Sequence, residues 1–255
     1  MRYALKVQYI GKNYSGSQIQ FEDGNPIEEP TIQGELEKAI STLIFGDTEN
    51  INRRFKTVFS GRTDKGVNAK GQVVHFDSEE TIVASEFLYH INEILPPDIS
   101  VSEIKVVDSG FHAQKSAKRR HYRFEFINRK CKNAFDGDLM RVKYSTDEKR
   151  MQKALDYLVG EHDFTSFKSS GTLNPSTVCF IESAKVEKLG DRVIIDIVGN
   201  RFLYNMVRTI VGTLLEIEGH NLPIEHMKEV LEACDRRKAG QTVSPYGLTL
   251  MKVEY

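Results

Sequence analysis

The stretch Thr57–Phe76, TVFSGRTDKGVNAKGQVVHF, places two short apolar segments on either side of a polar loop with glycine at three positions. Val and Phe favour strands, and the loop residues are typical of turns, so the stretch predicts two adjacent strands joined by the loop. Asp64 is the only acid between Glu49 and Asp77. The same region carries six basic residues, namely Arg53, Arg54, Lys56, Arg62, Lys65 and Lys70. A single carboxylate in a basic loop requires an explanation from the fold or from chemistry.

The hydrophobic periodicity on both sides of this stretch completes a larger unit. Apolar residues alternate in segments typical of strands and recur at helical spacing in segments typical of helices, and Pro96-Pro97 is expected to end the second helix. The first half therefore predicts the order β-α-β-β-α-β. Its elements are strands over 3–9, 57–60, 72–76 and 99–107, and helices over 36–44 and 87–95.

The second half repeats this order of elements without repeating residues. The segment Ser145–Glu148 resembles a capping box and is expected to open a helix. The other elements are strands over 121–128, 180–188, 193–198 and 248–254, and helices over 203–215 and 224–234.

The repeated order predicts an α+β fold of two ferredoxin-like halves, of the split-βαβ kind also found in RNA-recognition modules. We expect the halves, 1–108 and 109–255, to lie side by side in an extended mixed or antiparallel sheet around a basic cleft. This fold alone does not define a function. RNA-recognition modules nevertheless present such a sheet to nucleic acid.

The distribution of charge is more informative than its total. The chain has 255 residues, of which 40% are hydrophobic and 28% charged, as in an ordinary globular protein, and its net charge is -1. Residues 53–70 and 114–132 are nonetheless strongly basic, and the second segment holds eight Lys or Arg against the single acid Glu125. Two such patches together favour a polyanionic partner, although each patch alone is more typical of a solvated surface.

Several classes of site and location have no support in the sequence. The three cysteines, Cys131, Cys179 and Cys234, lie far apart, and no Cys/His group has metal-ligand spacing. The chain contains no P-loop and no dinucleotide-binding glycine pattern. It also contains no signal peptide and no apolar run long enough to span a bilayer. We therefore expect a cytoplasmic protein that uses no metal and no nucleotide cofactor and does not enter the membrane.

Asp64 permits two interpretations from its neighbours. Nearby Arg62, Lys65 and Lys70 favour the ionised carboxylate, which suits a nucleophile or a fixed base. A carboxylate facing RNA is repelled by phosphate, so it has to meet a base or a sugar. Alternatively, Asp-Lys-Gly is a good turn sequence in which the aspartate bonds its own backbone.

A family resemblance bears on this choice. The segment GRTDKGVNAKGQVVHF resembles the signature of the tRNA pseudouridine synthase A family, approximately GRTDxGVHAxxQVxxF. Six further segments between Thr31 and Leu250 resemble family segments in the same order. They are TIQGELEKAI, INEILPPDISV, FHAQKSAKRRHYRF, HDFTSF, GNRFLYNMVRTIVGTLLEI and RRKAGQTVSPYGLTL.

The resemblance implies a cofactor-free isomerisation of uridine in the anticodon arm of tRNA by a homodimer. The glycosidic C–N bond is cut, the uracil turns, and a C–C bond forms to the same ribose, after the nucleotide has left its stack. Two alternatives stay open: a paralogue that modifies other tRNA uridines, and a non-catalytic RNA-binding or RNA-folding protein. A metal-dependent nuclease is disfavoured because the basic loop lacks clustered acids.

The resemblance also assigns the catalytic residues. Asp64 matches the catalytic aspartate, Arg208 the arginine that pairs with it, and Tyr122 a tyrosine that packs on the target base and can take part in proton transfer. From the residues alone, Tyr122 could instead be core beside Phe124 and Phe126. Arg208 could lie on a solvated helix flank, because it belongs to a polar stripe with Arg201, Asn205 and Gly212.

The remaining expectations concern substrate binding. Arg62 matches an arginine that opens the stem or holds the flipped nucleotide, Leu248 matches an apolar residue of the uracil pocket, and Lys65 and Arg119 are basic candidates for RNA contacts. For Leu248, a place in the core is an equal alternative. The adjacent pair His162 and Asp163 is expected to serve packing rather than catalysis. Three departures from the family pattern, Asn68, Gln114 and Ser17, are expected on the RNA-contact surface and leave the choice of target uridine open.

Overall fold

A computed structural model of the chain describes residues 1–22, 25–26, 29–46, 55–169 and 176–255. Arg53 and Arg54, two of the six basic residues around Asp64, lie outside the described residues. The chain divides into two compact units. Unit 1 consists of Met1–Ala117 and Leu250–Tyr255, and unit 2 of Lys118–Thr249. The division assigns residues 109–117 and the end of the last strand to unit 1, whereas the sequence prediction put the boundary after residue 108.

Unit 1 has the predicted order of elements. Its strands and α-helices are β1 (Arg2–Tyr9), β2 (Phe21–Glu22), β3 (Asn25–Pro26), α1 (Ile32–Phe45), β4 (Val58–Phe59), β5 (Asn68–Asp77), α2 (Ala84–Ile94) and β6 (Ile99–Val107). Strand β1 pairs antiparallel with both β5 and β6, and β4 pairs antiparallel with β5. The sheet of unit 1 therefore runs β6-β1-β5-β4. Apart from the short β2–β3 pair, the order β-α-β-β-α-β is confirmed.

Local sequence signals explain the ends of the helices in unit 1. Thr31 caps α1, since its side chain accepts a hydrogen bond from the Gly34 amide at 3.1 Å. The helix ends at Gly46, whose φ of 66° is left-handed. Helix α2 ends at Ile94, before the two prolines, as predicted. Beneath the helices, Tyr3 of β1 stacks on Phe76 of β5, with ring centroids 5.6 Å apart.

Unit 2 contains the second set of elements. They are β7 (Arg119–Asn128), β8 (Arg141–Val142), α3 (Glu148–Asp156), β9 (Gly160–Asp163), β10 (Val178–Leu189), β11 (Arg192–Gly199), α4 (Met206–Gly219), α5 (His226–Ala233) and β12 (Leu248–Glu254), the last of which is divided between the units. Antiparallel pairing gives the order β7-β11-β10-β9, and β8 pairs parallel with β7. The predicted α+β class with a mixed sheet is confirmed.

Two helix starts in unit 2 differ from the predictions. The cap of α3 is Asp147, whose Oδ1 accepts the Arg150 amide at 3.1 Å, so the capping box predicted from Ser145 is wrong. Helix α4 begins at Met206 rather than Leu203, because Asn205 adopts a left-handed φ of 61° and interrupts helical geometry before it. Before Asn205, Leu203 is buried without being helical, whereas Tyr204 is 41% exposed.

The core of unit 2 lies between its sheet and helices. Phe124 and Phe126 of β7 are fully buried, as are Ile210 and Leu214 of α4. Each such side chain contributes roughly 1.5–3 kcal/mol through burial. None of the helices in the described ranges is long and apolar enough to cross a membrane.

Candidate active site

Asp64 begins a four-residue turn in unit 1. Its carbonyl accepts the Val67 amide at 3.1 Å, and Gly66 at the third position has a φ of 83°, as a type II turn requires. The expected turn is therefore present. It uses the backbone carbonyl of Asp64, and the residue itself is half-buried. The turn interpretation and a chemical role for the carboxylate are thus compatible.

Thr63, directly before Asp64, is held through its backbone and its side chain. Its amide donates to Ser17 Oγ at 2.8 Å, and its carbonyl accepts the Ser17 amide at 3.0 Å. Its hydroxyl shares a 2.7 Å hydrogen bond with the hydroxyl of Tyr9 on β1. All three residues are buried. These bonds fix the position from which the Asp64 side chain departs.

A second buried group supports the other end of the loop. Gln72 of β5 donates through Nε2 to the Gly61 carbonyl at 3.0 Å and to the Tyr9 hydroxyl at 3.3 Å. Its Oε1 accepts the Ser60 hydroxyl at 2.5 Å. Burial raises the pKa of Tyr9 to about 12, although its hydrogen bonds to Thr63 and Gln72 act in the opposite direction. Tyr9 is therefore neutral at physiological pH and completes a satisfied polar network.

We name residues 60–67, between β4 and β5, the Asp64 loop. Two glycines bring the segment 11–17 into backbone contact with this loop. A Cβ at Gly11 would lie 2.1 Å from the Val67 carbonyl oxygen. A Cβ at Gly16, whose φ is 111°, would lie 3.0 Å from the Thr63 carbonyl oxygen. This support was not predicted from the sequence. The only signal was the pair of glycines in IGKNYSG, which follows the first predicted strand.

The departures from the family pattern do not all lie on the surface. Ser17 is fully buried and bonds Thr63, so its expected place on an RNA-contact surface is wrong. Its small side chain allows the hydroxyl to reach a buried amide. Asn68 is half-buried and accepts the Gly11 amide through Oδ1 at 2.9 Å. Gln114 is exposed.

The basic candidates lie on exposed surface. Arg62 donates through Nε to the Gln18 side-chain oxygen. Lys65 Nζ lies 3.1 Å from a Glu29 carboxylate oxygen, and Arg119 Nε lies 2.5 Å from Glu182. Exposed pairs of this kind contribute only about 0–1 kcal/mol, so phosphate can compete for the cations.

Tyr122 and Leu248 are buried residues of unit 2. Tyr122 is 9% exposed and lies on the same side of β7 as Phe124 and Phe126. Its ring meets Phe202 edge to face, with centroids 5.0 Å apart. Leu248 begins β12 and is 5% exposed. The burial of both residues fits either the core interpretation or a base-binding role.

Arg208 is held in the first turn of α4. Its Nε donates to the Val243 carbonyl at 2.8 Å, and its NH1 donates to Asn205 Oδ1 at 2.6 Å. On the same helix, a Cβ at Gly212 would lie 1.7 Å from the Gln241 carbonyl oxygen. Residues 240–243 therefore pack against the polar stripe of α4. The alternative that Arg208 lies on a solvated helix flank is wrong. Arg201 precedes the helix and does not belong to this stripe.

The candidate residues thus divide between the two units. Asp64, Arg62 and Lys65 belong to unit 1, whereas Tyr122, Arg119, Arg208 and Leu248 belong to unit 2. The ion pair between Asp64 and Arg208 stays a prediction.

His162 and Asp163 do not form a catalytic dyad in unit 2. The ring of His162 lies 3.1 Å from the Val159 carbonyl, and Asp163 accepts the Thr165 amide at 2.9 Å. The structural role expected for this pair is consistent with these bonds. Within the described ranges, no three His, Cys, Asp or Glu side chains are grouped to hold a metal ion.

Comparison with known proteins defines first the class and then the family. The family model for tRNA pseudouridine synthases matches residues 154–255, which identifies a pseudouridine synthase homologue. The tRNA pseudouridine synthase A of Colwellia psychrerythraea is 40% identical over 257 residues, covering 100% of this chain and 94% of that protein. That of Brevibacillus brevis is 40% identical over 256 residues, covering 100% and 99%. The chain belongs to the tRNA pseudouridine synthase A family.

A solved structure shows only a distant likeness. A chain from the crystal structure of a Cbf5-Nop10-Gar1 complex aligns with a TM-score of 0.37 and 10% identity, over 84% of this chain and 54% of that chain. This likeness is too weak to support an argument about fold or function.

Proposed function

We propose that the protein isomerises uridine to pseudouridine in tRNA without a cofactor, and that Asp64 is the catalytic carboxylate. The family relationship extends over the whole chain and supports the reaction class. The assignment of Asp64 rests on how its position is fixed. The preceding residue, Thr63, forms buried hydrogen bonds to Ser17 and Tyr9. A reaction at one carbon of a nucleotide needs a carboxylate held at a fixed position, and such positioning lowers the barrier.

The reaction is balanced within the substrate. The bond between ribose C1′ and uracil N1 breaks, the uracil turns, and a bond forms between C1′ and C5. The hydrogen on C5 leaves as a proton and N1 gains one, so no oxidant or reductant is consumed. An ionised Asp64 can act at the base or at the ribose, and both routes require its contact with the glycosidic region.

The residues of unit 2 are proposed to complete the site. Arg208 pairs with Asp64; a guanidinium has five N–H donors, and its bonds to Asn205 and Val243 orient it for a carboxylate. Tyr122 packs on the uracil, and Leu248 lines the pocket.

Exposed cations are proposed to hold the RNA around this site. Arg62 holds the flipped nucleotide or opens the stem, while Lys65 and Arg119 meet phosphates. The target lies in the anticodon arm, and the enzyme acts as a cytoplasmic homodimer.

The test uses tRNA purified from a strain that lacks this gene. The tRNA is incubated with wild type or Asp64→Ala, digested to nucleosides and assayed for pseudouridine, and the modified positions are mapped by sequencing. We expect pseudouridine in the anticodon arm with wild type and none with the variant. A wild type that binds tRNA without forming pseudouridine would favour the RNA-binding alternative.

Two further outcomes refine the proposal. Pseudouridine outside the anticodon arm would favour the paralogue, an alternative motivated by the departures at Asn68, Gln114 and Ser17, of which Gln114 is the exposed one. Sedimentation at micromolar concentration tests the homodimer, because a mass equal to one chain would refute it.

A further inference from the structure

One aromatic side chain is exposed far beyond the others. Phe135 is 93% exposed, whereas Tyr89, next in order among the large hydrophobic residues of the described ranges, is 66% exposed. Phe135 lies in the connection between β7 and β8 of unit 2, in a short 3-10 helix over Ala134–Asp136. We name residues 129–138 the Phe135 loop. Part of it was predicted from the sequence only as a basic segment.

Side-chain hydrogen bonds and ion pairs hold the backbone of the Phe135 loop in place. Asn133 and Asp136 form a capping box: Asn133 Oδ1 accepts the Phe135 amide at 3.0 Å, and Asp136 Oδ2 accepts the Asn133 amide at 3.0 Å. Arg129 bridges Asp136 and Asp191, the latter at 3.1 Å. The hydrogen bond from Arg129 lowers the pKa of Asp136 and keeps it ionised in this bridge. The backbone beneath Phe135 is therefore fixed while its ring faces water.

Two exposed cations lie in the same loop as the ring. Lys130 and Lys132 are exposed and form no ion pair with any other residue that the structure describes. Of the nearby acids, Asp136 and Asp191 are both paired with Arg129, and Asp138 also has an interaction partner. An exposed aromatic ring in one short loop with two unpaired cations can bind an unpaired base by stacking and a phosphate by charge.

We infer that the Phe135 loop is a second RNA contact, at which an unpaired base of the tRNA, away from the reacting uridine, stacks on Phe135. The inference rests on the proposed function, which supplies tRNA as the partner. Charge complementarity favours RNA over a second copy of this chain, because the cations Lys130 and Lys132 are unpaired, whereas the acids of the loop already have partners.

The direct test is tRNA affinity by equilibrium filter binding, which does not depend on catalysis. We expect Phe135→Ala to weaken binding about tenfold, within the range for removal of one stacked base. Phe135→Trp should bind like wild type, whereas Phe135→Leu, which is apolar but cannot stack, should resemble Phe135→Ala. Because the ring is exposed, the melting temperatures of all three Phe135 variants should lie within roughly a few degrees of the wild-type value.

The lysines are tested through salt dependence. A protein loses about 0.7–0.9 in the slope of log K against log salt for each phosphate contact removed. The double variant Lys130→Ala, Lys132→Ala should therefore lower this slope by about 1.4–1.8, whereas Phe135→Ala should leave the slope unchanged. An unchanged slope in the double variant would overturn the phosphate contacts.

Tyr89→Ala is the matched control, since Tyr89 is an exposed aromatic on α2 beside His90 and close to Glu86 and Glu93. It should bind tRNA like wild type.

Wild-type affinity in Phe135→Ala, or in Phe135→Leu, would overturn the stacking inference. So would a loss of dimer mass in Phe135→Ala with unchanged affinity, which would make the loop a contact between copies. If wild type forms no pseudouridine while Phe135→Ala still weakens tRNA binding, the proposed function fails and the inference stands.

Discussion

The Asp64 loop and the Phe135 loop present their key side chains in opposite ways. Asp64 is half-buried, and the residues beneath it form a buried network of Ser17, Tyr9 and Gln72. Phe135 is almost fully exposed, and the bonds that hold its loop are exposed or only partly buried. Chemistry at one carbon atom depends on position, whereas capture of a flexible base depends on access. The comparison predicts that damage to the Asp64 loop lowers kcat and damage to the Phe135 loop weakens tRNA binding.

The largest of these effects is expected from one glycine in each loop. Gly66 has a φ of 83° and Gly137 a φ of 61°, a region that costs other residues about 1–2 kcal/mol. Gly66→Ala should lower kcat about 10–100-fold, because small displacements of a catalytic group are costly, with tRNA affinity within about twofold. Gly137→Ala should weaken tRNA binding several-fold with kcat little changed. Single-turnover kinetics and filter binding separate the two quantities.

Gly61→Ala is the control for this pair. Gly61 lies in the Asp64 loop, but a Cβ there would meet no atom within 4 Å and its φ is not positive. The free energy of unfolding of Gly61→Ala should stay within about 0.5 kcal/mol of the wild-type value. If Gly66→Ala and Gly137→Ala both changed only affinity, the distinction between the loops would be wrong.

A smaller effect is expected at Tyr9. Tyr9→Phe removes a hydroxyl bonded to Thr63 and Gln72, which should cost about 1–3 kcal/mol of stability at neutral pH. The pKa of Tyr9 is raised from 10.0 to about 12 in the folded protein, so only the unfolded chain ionises between these values. Below pH 10, wild type therefore keeps the full stability contributed by the Tyr9 hydroxyl. Between pH 10 and about 12 it loses about 1.4 kcal/mol of that stability per pH unit.

Urea unfolding of both proteins at pH 9 and pH 11 measures this difference. Phenylalanine does not titrate, so the stability advantage of wild type should shrink by about 1 kcal/mol between the two pH values. An advantage that is the same at both values would show that Tyr9 is not buried in the folded state.

The smallest effect is expected at the rim of the Asp64 loop. Lys65 and Glu29 form an exposed pair, which carries little energy. Glu29→Gln should change the free energy of unfolding by less than about 0.5 kcal/mol. A loss of several kcal/mol by calorimetry would mean that the loop is held from its surface rather than by the buried network.

Much of the fold could be predicted because hydrophobic periodicity marks its elements directly. The strand over Ile99–Val107 and the last strand, Leu248–Glu254, have the predicted bounds. The start of α4 could not be predicted, because apolar residues continue through Leu203 while the left-handed Asn205 sets the first turn. A choice of backbone conformation leaves no trace in periodicity.

The candidate site was predictable to a different degree. The isolated acid at 64 and the family pattern identified the candidates, but neither showed how the loop is held. The bonds of Ser17 and Gln72 join segments distant in sequence, and a buried serine looks in sequence like any surface serine. The stripe on α4 was predicted as polar, but its partner, the segment 240–243, follows only from the packing of Gly212.

The most direct test of the account is the rate of pseudouridine formation by Asp64→Asn under single-turnover conditions, with tRNA affinity measured in parallel. Asparagine has nearly the same shape and removes only the charge. The account predicts a rate at least about 1,000-fold below wild type, as for loss of a catalytic nucleophile or base, with affinity within about threefold. A rate within tenfold of wild type, or a loss explained by weaker tRNA binding, would contradict it.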